Sequence, residues 1–248
     1  MDLSKAYPSP RLLLALNFLF TICAMLMVAF LAGRSFLCTG RAGLLMVGAG
    51  ALVWGLASIM APLLTTHGPN VLITIYNCGV FIAATCFLIG GIANSRPAGS
   101  VTYPQLWLTV TYAATISALG LIAVETIQGG TPVFFLPGRG GTTIRTVVLS
   151  SSIVFILGTS ALMRKSAARP IPQSLDWYSQ GLALLTIGLA AVMIHSVFDS
   201  ALGWTGRAAQ YLGGVFLLVA AIAETRENRV WGINLSEALL AKEKELQR

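Results

Sequence analysis

Charged side chains are scarce in this sequence. They make up 10% of its 248 residues, while 56% are hydrophobic; soluble domains are about 25% charged. Too few polar groups exist to cover a water-soluble globule of this size, so lipid is the expected solvent. Histidine occurs only 2 times, and none of the cysteines (Cys23, Cys38, Cys78, Cys86) belongs to a Cys-x-x-Cys pair. That argues against a disulfide framework and leaves most of them as small hydrophobes packed between helices. The sequence has no His-Glu-x-x-His, no local Ser/His/Asp signature and no paired carboxylates inside an apolar run. This segment therefore carries no positive sign of an enzyme. Gly138-Arg139-Gly140-Gly141-Thr142-Thr143 lacks the lysine and the preceding strand of a phosphate-binding loop, and reads as a plain loop. The net charge of +7 does not come with a basic patch interleaved with aromatics, so nucleic acid is not an expected partner. The basic residues lie between apolar runs, where they orient a chain in a membrane and meet anionic lipid.

What is abundant is apolar helix. Crossing about 30 Å of hydrocarbon takes roughly 20 residues, and the sequence has seven such runs: Leu12 to Ala32, Gly43 to Leu64, Val71 to Ala93, Pro104 to Ile127, Thr146 to Met163, Tyr178 to Asp199 and Arg207 to Glu224. The expected fold is all-α, a polytopic bundle of seven transmembrane helices. Residues 1–11 form a lead-in, 12–226 the membrane domain and 227–248 a cytoplasmic helix. The first run is too long for a cleaved signal and lacks a clear cleavage site, so it is expected to be retained. Gly48-Ala49-Gly50 inside the second run marks close helix packing. The loop Gln128 to Thr143, with the apolar patch Val133-Phe134-Phe135-Leu136, is expected to fold back on the membrane surface or over the bundle. Arg34, Arg41, Arg96, Arg164, Lys165, Arg169, Arg226 and Arg229 outnumber Lys5, Arg11, Arg139, Arg145 and Arg207 on the other side. That bias places the protein in the plasma (inner) membrane with its N-terminus outside and its C-terminus cytoplasmic.

Ionisable groups within a span are costly and each calls for a reason. His195 and Asp199 lie four apart on one face of the sixth run. They suit a tautomer-fixing hydrogen bond, a titrating pair or part of a metal site. Tyr76, Asn77 and Cys78 stand at comparable depth in the third run, so Cys78 with His195 and Asp199 is a candidate set for a soft metal ion. Haem is a further candidate cofactor. Packing polar residues is the plain alternative for all of these. Arg207 and Gln210 are placed to partner Asp199. Glu125 and Glu224, near span ends, fit snorkelling or pairing with an arginine. Past the seventh run, Leu235, Leu239, Lys242 and Leu246 follow the 4-3-4 spacing of a parallel coiled-coil seam. That seam is read either as a solvated tail helix or as a connector to a cytoplasmic effector domain, and it implies a homodimer.

Three segments carry a resemblance to a known class: Gly68-Pro69-Asn70-Val71-Leu72-Ile73-Thr74-Ile75-Tyr76-Asn77, His195-Ser196-Val197-Phe198-Asp199-Ser200, and Gly206-Arg207-Ala208-Ala209-Gln210-Tyr211-Leu212-Gly213-Gly214. With the exit helix from Leu235 to Leu246, they resemble the membrane-associated sensor (MASE-type) domains of prokaryotic sensor histidine kinases and diguanylate cyclases. The resemblance implies an input module of a signal-transduction protein, its exit helix leading into a PAS domain, histidine kinase or diguanylate cyclase in the full-length protein. A small-molecule or ion transporter or channel, or a metal- or haem-binding membrane protein, are the alternatives. No internal repeat is evident at this level.

Overall fold

The computed structural model describes residues 10–95, 101–137, 140–166, 172–194 and 201–227. Seven of its helices are long and apolar enough to cross a membrane. The first span is a composite rod: α1 (Pro10–Leu16), a π-helical segment (Asn17–Cys23) and α2 (Ala24–Thr39). It is followed by α3 (Ala42–Leu63), α4 (Pro69–Asn94) and α5 (Pro104–Ile127). A two-residue hairpin, β1 (Phe135–Leu136) with β2 (Gly140–Gly141), precedes α6 (Thr143–Ser166), α7 (Gln173–Ile194) and α8 (Ala201–Glu227).

The number and order of spans agree with the apolar runs; the first span, α4, α6 and α8 are longer than their runs, α3 and α5 match theirs, and α7 starts earlier, at Gln173. α2 continues to Thr39, past Arg34 and Ser35, because polar side chains near a span end reach the interface and need not stop a helix. Gly40, at φ 68°, makes the turn, and its N–H bonds the Phe36 carbonyl at 2.7 Å. Pro69 and Pro104 open α4 and α5 in the first turn, where a missing N–H costs nothing.

Six spans close a ring. α2 packs on α3, α3 on α4, α4 on α6, α6 on α7, α7 on α8, and α8 back on α2. The main apolar core draws buried residues from each of these helices and none from α5. Trp54, Phe87, Leu182 and Leu217, at 0–1% exposure, sit in that core. α5 lies outside the ring against α2, α3 and α4 and is the least buried span. It is attached by Tyr112, whose hydroxyl donates to the Ala29 carbonyl at 2.7 Å in a notch left by Gly33 and Gly48.

The ring is two similar halves, α2–α3–α4 and α6–α7–α8, joined through α5. Each half ends in an antiparallel hairpin whose seam is small residues at seven-residue spacing. In α3 and α4, a Cβ built on Gly43 would lie 3.1 Å from the Gly90 carbonyl oxygen, and one on Gly50 3.0 Å from that of Ala83. In α7 and α8, the same test gives 3.1 Å from Gly181 to the Gly213 oxygen and 2.8 Å from Gly188 to that of Gly206. Counted from the start of each helix, Gly43, Gly50 and Ala57 hold the places that Ser174, Gly181 and Gly188 hold in α7. The joints between halves also correspond. Phe81 of α4 meets Phe155 of α6 at 5.8 Å between ring centroids, and Tyr211 of α8 meets Phe20 at 6.0 Å.

The loop after α5 does fold back. Asn70 Oδ1 accepts the Phe134 and Phe135 backbone N–H groups, both at 2.9 Å, and Phe134 is buried. Residues 228–248, with Leu235, Leu239, Lys242 and Leu246, lie outside the described residues.

Candidate functional site

Polar residues gather at both rims of the ring. The rim near the start of α4 and of α8 holds the residues that the sequence pointed to. Tyr76 of α4, half-buried, lies beside the buried Trp54, with Tyr211 and Arg207 of α8 in electrostatic reach. Tyr211 donates its hydroxyl proton to Asn17 Oδ1 at 2.7 Å, tying α8 to the π segment. The Arg207 guanidinium lies 5.3 Å from the centre of the Trp204 ring. Tyr76 and Arg207 lie on the same rim within electrostatic reach of each other, and Trp54, Asn17 and Tyr211 are neighbours there that the sequence reading did not single out. Asn77 is 2% exposed with an unpartnered Nδ2, and Gln210 Nε2 is also buried without a partner. Cys78 is half-buried. His195 and Asp199 lie outside the described residues, so the proposed metal set and the pairing of Asp199 with Arg207 or Gln210 fall there too. Among the described residues no group of three or more His, Cys, Asp and Glu side chains gathers.

The opposite rim, where α8 leaves the bundle, is more extensively connected. Arg41, in the short turn between α2 and α3, puts Nη1 3.1 Å from Glu224 Oε1 and Nη2 2.6 Å from Asn94 Oδ1. One side chain therefore ties the ends of α4 and α8 to the α2–α3 turn. The expectation that Glu224 would pair with an arginine holds. One turn on, Glu227 accepts from Ser174 twice, from its hydroxyl at 2.7 Å and its backbone N–H at 3.2 Å, which fastens α8 to the start of α7. These are charge-assisted bonds in a partly screened setting: the Glu224 side chain is 17% exposed, that of Arg41 38%.

Inside this clasp, between the two halves, lies a cavity of about 60 Å³. Its walls come from all six ring helices, and its floor is apolar, with Val28, Ala32 and Leu217. Two hydroxyls line it without any protein hydrogen bond: Ser35 Oγ and Tyr178 OH, in residues 1% and 6% exposed. The Tyr178 ring is held edge-on against Phe87 at 6.3 Å. Burying a hydroxyl with no partner is unfavourable by about 1–3 kcal/mol, so two in one cavity mark it as built for an occupant.

The sequence did carry a signal for this rim. Near their ends α4 and α8 run alike, in Leu88…Ile92-Ala93-Asn94 and Leu218…Ile222-Ala223-Glu224, and Asn94 and Glu224 both bind Arg41. The match is too short to stand out in a chain so rich in alanine, leucine and isoleucine. Compared with known proteins, the chain matches no family model, no curated protein and no solved structure.

Proposed function

We propose that this chain is the transmembrane sensory input domain of a signal-transduction protein, with α8 as its output. The observation that carries this reading is the clasp at the exit rim. Arg41, itself held by Asn94 of α4, pairs with Glu224, and Ser174 of α7 donates to Glu227, both glutamates lying in the last turn of α8. A change in the bundle that alters those contacts alters the position of the helix leaving it. The segment after Glu227 has the composition and heptad spacing of a connector, and in this reading it pairs with a second copy and hands the displacement to a cytoplasmic effector such as a histidine kinase or diguanylate cyclase. The bilayer is the inner membrane, with the C-terminus cytoplasmic.

Single cysteines placed from Asn234 through Leu246, in a chain whose exposed Cys38 has been replaced, test the pairing by oxidative cross-linking in native membranes. Dimers are expected to peak at Leu235→Cys, Leu239→Cys, Lys242→Cys and Leu246→Cys. A uniform yield along the segment, or none, rejects a parallel seam.

A second reading, a carrier for a small solute, rests on the cavity lying between two equivalent halves, the arrangement in which parallel-repeat carriers hold substrate. A carrier must open that space to both faces in turn. Ala51, fully buried one turn below Val47 of the cavity wall, would as Ala51→Cys react with a membrane-impermeant maleimide from either side of sealed vesicles. Reaction from one side only, or none, rejects the carrier.

A further inference from the structure

We infer that the cavity behind the Arg41–Glu224 pair is a binding site for a small neutral amphiphile with a single hydroxyl or carbonyl oxygen, of the size and kind of a short-chain alcohol or ketone. The argument runs from size, polarity and charge. At roughly 10–15 Å³ per water, a cavity of about 60 Å³ holds a few non-hydrogen atoms and not a lipid chain or a nucleotide. Its floor of Val28, Ala32 and Leu217 suits a hydrocarbon stub. Ser35 Oγ and Tyr178 OH, both buried and unpartnered, each bring a donor and acceptor capacity to the cavity they line, which a ligand oxygen can use. The charges at its mouth are already matched, Arg41 against Glu224 with Asn94 on the second guanidinium nitrogen. A ligand carrying a net charge would have to break that pairing, so the fitting ligand is neutral. All six ring helices line the space, so an occupant touches both halves of the ring and the residues that clasp α8. This deepens the sensory reading by naming its ligand class. Binding itself does not depend on the pairing of residues 235–246.

The test is photolabelling of the full chain in nanodiscs with azi-butanol, a short alcohol bearing a diazirine, followed by peptide mass spectrometry. Adducts are expected on Tyr178 or its cavity neighbours, suppressed by excess butanol. In Ser35→Ala/Tyr178→Phe, that butanol-sensitive labelling should fall about tenfold, the loss of two ordinary hydrogen bonds. The double variant removes only hydroxyls without protein partners, so its melting temperature should equal or exceed that of the parent. As a steric control, Ala32→Leu fills the floor and should abolish the same adduct. Labelling that is spread over lipid-facing residues, insensitive to butanol, or unchanged in both variants overturns the proposal and means that the hydroxyls meet water alone. That result leaves the cross-linking test of α8 untouched, and a flat cross-linking profile leaves the labelling result standing.

Discussion

A single methyl group has opposite consequences at different glycines of this chain. At Gly50 it would meet the Phe87 ring at 2.7 Å and the Ala83 carbonyl at 3.0 Å; at Gly188 it would meet the Gly206 carbonyl at 2.8 Å. Neither a carbonyl nor a wedged ring can step aside cheaply, so Gly50→Ala and Gly188→Ala should each lose about 1–3 kcal/mol of stability. Gly120 of α5 and Gly158 of α6 have nothing within 4 Å. There alanine should be neutral or gain up to about 1 kcal/mol from helix propensity. Thermal or denaturant unfolding in detergent separates the two classes, and equal effects at all four positions would refute the seams. Gly48-Ala49-Gly50 was legible as a packing motif from sequence, and it is one: Gly48 faces the Tyr112 hydroxyl and Gly50 the Phe87 ring. The partners were not legible, because a helix pattern gives the spacing of small residues but not the helix they face.

For the elements, apolar length was a sufficient signal for seven spans, and the proline and glycine punctuation placed most of their ends within a few residues. The composite first span was not readable. Nothing in Asn17-Phe18-Leu19-Phe20-Thr21-Ile22-Cys23 distinguishes π from α winding in local propensity. The difference is tertiary: a Cβ on Gly214 of α8 would come within 2.6 Å of the Phe20 carbonyl, and Asn17 is held by Tyr211. The aromatic cluster at Trp54 and Tyr76 was half legible. Tyr76 and Arg207 stood out as polar groups in apolar runs, whereas nothing singled out Trp54, and Tyr211 entered only within a longer segment. Arg41 was counted only as a topological charge, yet it joins three parts of the ring. Charge counting assigns a side to a residue and says nothing of its partners.

For the whole molecule, the two-part ring is the largest feature that sequence reading missed. The halves share a pattern of small residues and an Ile-Ala pair just before the residue that binds Arg41, while the side chains between those positions have little in common, so the likeness is one of backbone approach. Because α5 adds little to the ring core, cutting the chain after Gly130 should leave a four-span and a three-span piece that still recognise each other through α4 with α6 and α2 with α8. Co-expressed fragments 1–130 and 131–248 are expected to co-purify in mild detergent; recovery of one without the other would show that the covalent link holds the halves. The glycine seam of α7 and α8 has a mechanical corollary. The notches on that face are filled from the other helix, Leu217 over Gly181 and Leu185 over Gly213, so sliding must first lift these leucines out of their seats. Resistance to α8 gliding along its own axis is then shared between these leucines, the Tyr211 hydroxyl partway along the helix and the two glutamates in its last turn.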